Sequence, residues 1–426
     1  MLTYLNIDNF KSLKEVRMQL PELSYFCGPN GSGKSNFAEA CDFLSQTFRN
    51  GLAYAVTEKA GFYNMCFRRQ RRSRGGITFQ FGGRLTSSKD AAKYVTYDVS
   101  FELQTRGEAI RSDFYVSAEH YSFLVHSVDR EPSELKIERV KDKYVLTKNV
   151  TSAVVKEFPH LGEQIDSWWE YFRPQDTELL GSTRLTDWFP FDSIAFDMKS
   201  IRVFRISPRT ARGAGTPSIS GELGKYGENL PSALDYMIAK DKAGFEQLQL
   251  WMKGVLPDLA YLKSDYTETK QLGLFLKETG VGAPWYAEDL SDGTLMSIAL
   301  FIAILDSRNK CIFIEEPENS LHPWILRKFL ECCQEISGSA RQVLISTQSP
   351  IVVAMAKAEN LFLIEKTAGR TNITGALSRE PNLAKIIRNE FLDLGEYWLS
   401  GGLQGVPEAP ALTDDLFNST PENEPQ

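Results

Sequence analysis

One stretch constrains this chain more than any other: Gly28-Pro29-Asn30-Gly31-Ser32-Gly33-Lys34-Ser35. A glycine, four residues and then Gly-Lys-Ser is the P-loop pattern. Gly28, Gly31 and Gly33 let the backbone turn tightly and bring its N–H groups close to an anion. Lys34 offers a point charge to the β- and γ-phosphates of a nucleotide, and Ser35 offers a hydroxyl to Mg²⁺. Ser35 also opens a helix, whose N-terminus favours phosphate. The flanks agree. Leu23-Ser24-Tyr25-Phe26-Cys27 reads as a buried strand, and Phe37, Ala38, Ala40, Cys41 and Leu44 recur at helical spacing. A loop of this kind between a strand and a helix commits the chain to an α/β architecture that binds a nucleotide.

The rest of the composition narrows the class. The chain has 426 residues, 42% of them hydrophobic, enough for two or three domains or one large two-lobed unit. A net charge of −7 argues against a wholly basic nucleic-acid coat and leaves room for a local basic patch. The six cysteines form no CxxC pair and fall mostly in apolar surroundings, as expected of thiols in a reducing cytoplasm. We expect no signal peptide and no membrane span, because the longest apolar run, Leu295 to Leu305, is too short to cross a bilayer.

Along the chain, residues 2–20 alternate apolar and polar and predict two strands around the turn Asp8 to Ser12. Residues 50–60 continue the helix after the P-loop. Strands are expected at Ile77–Phe81, Tyr94–Leu103, Phe114–Ser117, Tyr121–Val125, Leu135–Val140 and Tyr144–Thr147, spaced as an antiparallel meander. Residues 150–192, with Trp168, Trp169, Phe172, Trp188, Phe189 and Phe191, read as a helical insertion. A strand at Ile201–Ile206, helices over 228–256 and two strands between 260 and 287 follow. From 295 the pattern is helix, strand, helix, strand. The tail 401–426 is rich in Pro, Gly, Asn and acids and is expected to be disordered.

Two downstream segments carry chemistry. Cys311-Ile312-Phe313-Ile314 is an apolar strand that ends in two carboxylates, Glu315 and Glu316. Opposite a P-loop, the first would hold Mg²⁺ through its water shell and the second would polarise an attacking water. Leu290-Ser291-Asp292-Gly293-Thr294 precedes an apolar helix. Ser291 can cap that helix and Gly293 lets its start approach an anion. Between Ser291 and Glu316 there is room for one helix, a turn and the carboxylate strand. A separate run holds Arg68, Arg69, Arg71, Arg72 and Arg74. It is the best candidate for DNA phosphates; a solvated loop or a dock for an acidic partner are the alternatives. Arg202, Arg205, Arg209 and Arg212 form a second cluster that could face a partner or a phosphate.

The order of P-loop, serine-glycine helix start and carboxylate strand is that of ABC-type ATPases. In that class the helix start meets the nucleotide held by a second subunit. The strand Gln342 to Thr347 ends at Gln348, where this class often carries a histidine that contacts the γ-phosphate. None of the four histidines, His120, His126, His160 and His322, stands there. Glutamine can bond a phosphate but cannot relay a proton at neutral pH. Asn9-Phe10-Lys11-Ser12, Gly28 to Asn36, Leu290 to Thr294, Glu315-Glu316-Pro317-Glu318, Ser346 to Pro350 and Leu394 to Leu399 together resemble the AAA-labelled ATPases of bacteria. These are ABC-type domains related to RecF, SMC proteins and OLD-family nucleases.

The likeness covers about 1–105 and 200–400. It implies an α/β P-loop NTPase with an ABC-type two-lobed ATPase head, a mixed-sheet core plus an antiparallel lobe, and a helical insertion. The domains would be 1–105 with the P-loop, 106–200, 201–400, and the tail 401–426. It also implies that Lys11, Asn30, Ser32 and Asn36 join Gly31, Gly33, Lys34, Ser35, Ser291 and Gly293 at ATP, with Ser35 and Glu315 at Mg²⁺ and Lys34, Glu316 and Gln348 in catalysis. Expected partners are a second copy of the chain around ATP and a separate nuclease or toxin, in phage defence or DNA repair. We expect no Toprim nuclease domain after the head. Gln348 and Glu315 depart from the usual pattern and put the hydrolysis rate in question. An ATP-stabilised scaffold or sensor with little turnover is the alternative.

Overall fold

The computed structural model describes residues 1–67, 75–86, 94–105, 114–126, 132–141, 143–149, 174–183, 190–215, 218, 220–338, 340–390 and 392–403. The arginine run 68–74, Trp168, Trp169, Phe172, Trp188, Phe189 and the tail from 404 lie outside the described residues. Strands β1 (Leu2–Asp8) and β2 (Val16–Gln19) form a hairpin, and β3 (Leu23–Cys27) leads to the P-loop. Strands β4 (Ile77–Thr86), β5 (Tyr94–Thr105), β6 (Phe114–His126), β7 (Ser133–Val140) and β8 (Lys143–Asn149) extend the hairpin. The result is one seven-stranded antiparallel sheet in the order β2-β1-β4-β5-β6-β7-β8. Strands on both sides of residue 105 lie in this one sheet.

The meander has the alternation its sequence leads one to expect, with one correction. The segments Phe114–Ser117 and Tyr121–Val125 are a single strand, β6. The polar run between them does not break the ladder, because the register against β5 shifts beside Leu103 and brings Glu119 inward. Glu119 is buried and accepts hydrogen bonds from the Tyr121 and Tyr144 hydroxyls and from the Leu180 N–H at 2.6 Å. That carboxyl ties the short helix Leu180–Thr183 to the sheet.

The second sheet is made of strands far apart in sequence. It contains β9 (Ile201–Phe204), β13 (Cys311–Glu315), β14 (Gln342–Thr347), β15 (Leu361–Thr367) and β16 (Arg370–Gly375), while β10 (Leu259–Tyr266), β11 (Leu272–Glu278) and β12 (Trp285–Tyr286) form a small third sheet. The order of the second sheet is β16-β15-β3-β14-β13-β9. Its strands run parallel except β16, which turns back on β15. Strands β3, β13 and β14 are buried along their whole length, the pattern of parallel strands covered on both faces.

Their alternate side chains feed two cores. Phe26, Phe313 and Leu344 join the core shared with the antiparallel sheet. Tyr25, Ile312, Ile314, Val343 and Ile345 pack against helices of 230–255, 292–305 and 323–336. The helix after the P-loop, Lys34–Asn50, is wedged between the sheets. Its Phe37 lies 5.0 Å from Phe26 of one sheet, and its Phe43 stacks 5.3 Å from Phe79 of the other. The P-loop is thereby held rigidly by both. Parallel β3, β9, β13 and β14 all end at one edge, where ligands of open α/β sheets bind. Among the described residues no helix is long and apolar enough to cross a membrane.

Candidate nucleotide site

The P-loop follows β3 and is pressed onto the β15–β16 hairpin. A Cβ on Gly28 would lie 2.2 Å from the Ile364 carbonyl oxygen, and one on Gly33 would lie 2.0 Å from Thr371 Oγ1. Gly33 also sits at φ +112, in the left-handed region. No other residue type fits either place. A chain of hydrogen bonds sets the loop. Asn36 Nδ2 donates to Ser12 Oγ at 2.6 Å, and Ser12 shares a 2.7 Å bond with Thr371 Oγ1. Thr371 donates to the Ser32 carbonyl at 2.8 Å. The Ser12 hydroxyl therefore donates to Thr371.

The helix begins at Gly33, which offers no side-chain cap, whereas Ser291 caps its own helix. Among the described residues, Ser32 Oγ is buried without a partner. An uncapped helix start, a glycine cradle and an orphaned buried hydroxyl fit a bound phosphate chain.

Lys34 is only 5% exposed. Its ammonium donates to the Gly28 carbonyl at 2.7 Å and the Pro29 carbonyl at 3.1 Å, and lies 3.9 Å from Glu316 Oε1. Burial holds its pKa below that of an ordinary lysine, against the pull of Glu316 and the other nearby acids. The two consecutive acids at the end of β13 face different surroundings. Glu315 is buried, which raises its pKa, and the nearby Ser35 hydroxyl, Arg205 and Lys225 oppose the rise. Glu316 turns out of the sheet at φ +48 and is half-buried. Its N–H bonds the Ser346 carbonyl at 2.8 Å, and its Oε2 accepts from Asn319 Nδ2 at 3.1 Å. One carboxyl thus sits with the P-loop serine and the other with the P-loop lysine. Among the described residues no group of three or more His, Cys, Asp or Glu could hold a metal ion. A Mg²⁺ ion would rely on Ser35, Glu315, water and the nucleotide's own phosphates.

The remaining candidates fall in several places. Gln348 follows β14, and its N–H bonds Glu318 Oε1 at 2.9 Å; its side-chain amide has no hydrogen bond among the described residues. Lys11 pairs with Glu39 on the P-loop helix, at the mouth of a polar cleft of about 670 Å³ that also includes Asp42, Lys59 and Lys225. Asn30 and Gly31 lie in the loop itself, Gly31 at φ +75. Ser291 Oγ accepts from the Thr294 N–H at 3.1 Å, and the Gly293 position abuts the Ser320 carbonyl of the loop that follows Glu316. Among the described residues, no hydrogen bond of Ser291 reaches residues 28–36.

The arginine cluster divides. Arg202 pairs with Glu222 and donates to the Leu223 carbonyl at 2.6 Å. Arg212 donates to the carbonyls of Ala287, Glu288 and Leu290 and pairs with Asp292, so it shapes the loop that presents Ser291. Sequence reading named Arg212 without that role, quoted Glu318 without one and missed Thr371. A third acid beside Glu315 and Glu316 was the signal for Glu318. Thr371 carries no local signal, because its partners lie at the other end of the chain.

A P-loop and a carboxylate-ended strand meeting at one edge of a parallel sheet define a P-loop NTPase fold. The chain belongs to the family described as "AAA domain, putative AbiEii toxin, Type IV TA system", which matches residues 26–354. Among solved structures it is similar to an Smc head bound to the C-winged helix domain of ScpA, with 12% identity, 90% of this chain and 99% of that chain covered, and a TM-score of 0.47. It is also similar to the SMC head domain from Thermotoga maritima, with 14% identity, 88% and 98% covered, and a TM-score of 0.42. A third is the Smc head with an extended coiled coil bound to the C-terminal domain of ScpA, from Pyrococcus furiosus, with 12% identity, 91% and 99% covered, and a TM-score of 0.43. At these scores the likeness adds nothing to what the sheet order establishes. A comparison with curated proteins found no match.

Proposed function

We propose that this chain binds ATP with Mg²⁺ and hydrolyses it slowly, in the cytoplasm, and that the nucleotide state is signalled to a separate effector. The observation that carries this reading is the approach of the P-loop Lys34 to Glu316 at 3.9 Å, with Ser35 near Glu315 beside it. Lys34 would leave its carbonyl partners for the β- and γ-phosphates. Ser35 and Glu315 would hold the Mg²⁺ ion, which supplies charge neutralisation between the phosphates. Releasing Lys34 frees Glu316 to accept a proton from water. Gln348 would offer a hydrogen bond and no proton transfer, which supports slow turnover.

Exposed Ser291, beside Gly293, is available to a second copy's nucleotide, so the reading includes an ATP-linked dimer. The family's description names a toxin of a type IV toxin–antitoxin system. That supports an effector in phage defence, with DNA repair as the neighbouring possibility and the arginine run 68–74 as the route to DNA. The test is phosphate release by wild type and Glu316→Gln. We expect turnover in wild type and a loss of about a hundredfold or more in the variant, with ATP retained. Gln348 also favours a second reading, an ATP-held scaffold; equal, near-zero release by both proteins with tight ATP binding would select it.

A further inference from the structure

We propose that Glu318 is a positioning residue for hydrolysis, the side chain that locks the end of β14 to the loop bearing Glu316. The proposal rests on the reading of Glu316 as the base. Strands β13 and β14 pair in register as far as Glu315 and Ser346, and the Glu316 N–H then closes on the Ser346 carbonyl. There the ladder between them stops. Glu316 turns away through a left-handed φ, while Thr347 continues beside Cys27 of β3.

Beyond that point Glu318 bridges the two. Its Oε1 accepts from Thr347 Oγ1 at 2.7 Å and from the Gln348 N–H at 2.9 Å. Thr347 Oγ1 accepts in turn from the Ser349 N–H at 2.9 Å. One carboxyl oxygen therefore orders three consecutive residues at the strand end. Pro317, whose φ its ring fixes, is the single residue between Glu316 and Glu318, so displacement of one is passed to the other.

Stability alone does not explain this choice of residue. Among the described residues, Glu318 Oε2 is buried without a partner. Burial raises the Glu318 pKa, and the charge of Glu316 adds to that rise. A half-satisfied buried carboxyl is a costly way to hold a loop. What it achieves is a fixed relation between the end of β14 and the loop that holds Glu316 3.9 Å from Lys34.

The test combines Glu318→Ala, Glu318→Gln and Thr347→Val with Glu316→Gln as the control. Glutamine keeps an accepting oxygen; valine removes the donating hydroxyl and keeps the shape. In ATP-free protein, Glu318→Ala should speed hydrogen exchange of the Gln348 and Ser349 amides, and Glu318→Gln should not. Steady-state kcat should fall at least about tenfold in Glu318→Ala, with Kd for a fluorescent ATP analogue within about threefold of wild type. Glu318→Gln should restore kcat to within about threefold. Thr347→Val should slow turnover in the same direction, and adding it to Glu318→Ala should cost less than the two single effects combined, because both remove the Thr347–Glu318 bond. If Glu318→Ala does not fold, Thr347→Val still carries the test.

Wild-type kcat in Glu318→Ala or Thr347→Val, with Glu316→Gln inactive, overturns this proposal alone. Parallel loss of kcat, ATP binding and melting temperature in both Glu318 variants also overturns it, since that marks a structural role. Full turnover in Glu316→Gln removes the base itself and the proposal with it.

Discussion

Lys34 is where the chemistry of this fold is concentrated into one side chain. A buried ammonium with two carbonyl partners and a carboxylate at 3.9 Å waits for stronger anions. Lys34→Ala should lower affinity for an ATP analogue by two orders of magnitude, roughly 3 kcal/mol. Melting should stay close to wild type, because the ammonium bonds only loop carbonyls. A fluorescence titration beside a thermal scan checks both, and unchanged affinity would remove the site assignment. Lys34, Ser35, Glu315 and Glu316 were legible in the sequence because each belongs to a short motif whose spacing is itself the geometry. Glu318, Arg212 and Thr371 act through partners brought near by the sheet order, which no local spacing encodes. The five arginines of 68–74 fall outside the described residues, so their reading stands as it was.

At the scale of elements, two contacts between distant segments set how the site is presented. Arg212 gathers the 287–290 carbonyls immediately before the Ser291-capped helix. Arg212→Ala should cost about 1–2 kcal/mol, the contact being partly exposed. It should raise proteolysis or hydrogen exchange over 287–292 while ATP binding by the monomer stays put. Asp42 joins the P-loop helix to Lys59 at 2.7 Å and to Lys225 at 2.9 Å. Burial acts to raise its pKa, and the two lysines outweigh burial, so the carboxyl lies below its ordinary value.

A depressed folded pKa gives stability that is present above the unfolded value, about 3.9, and lost as pH falls through the folded one. Asp42→Asn should therefore lower the melting temperature at pH 7 by a few degrees, for roughly 2 kcal/mol. The gap should begin to narrow near about pH 4 and close as pH falls through the lower folded value. A gap that stays constant down to about pH 2 would show that the charge is not what matters. Most elements were readable from their period, two in the meander and 3.6 in the helices. β6 was split because Glu119 looks like a solvent residue. β15 and β16 went unassigned because Glu365, Lys366 and Arg370 dilute their apolar run.

At the scale of the molecule, the proposed two-copy ATP sandwich needs Ser291 to meet a nucleotide held by another copy; Ser291 caps its own helix and, among the described residues, makes no hydrogen bond to residues 28–36. Ser291→Arg, placing bulk and charge at an exposed helix start, should leave monomer binding of ATP intact and abolish any ATP-dependent rise in mass. Light scattering with and without ATP decides it; a rise that survives the substitution would move the interface elsewhere. The proposal of a sandwich comes only from the family resemblance, since an isolated Ser-Asp-Gly-Thr reads equally well as a plain cap. The sheet order has a further consequence for how the protein comes into being. β3, at residues 23–27, takes its neighbours from residues 342–347 and 361–363, and Thr371 sets the P-loop beside it. As the chain leaves the ribosome, the P-loop emerges long before the strands β14 and β15 that flank β3, and has no sheet to lie in until they are out. A nascent or truncated chain would carry the full phosphate-binding signature and still lack a site, so nucleotide capture reports that synthesis of the head has finished.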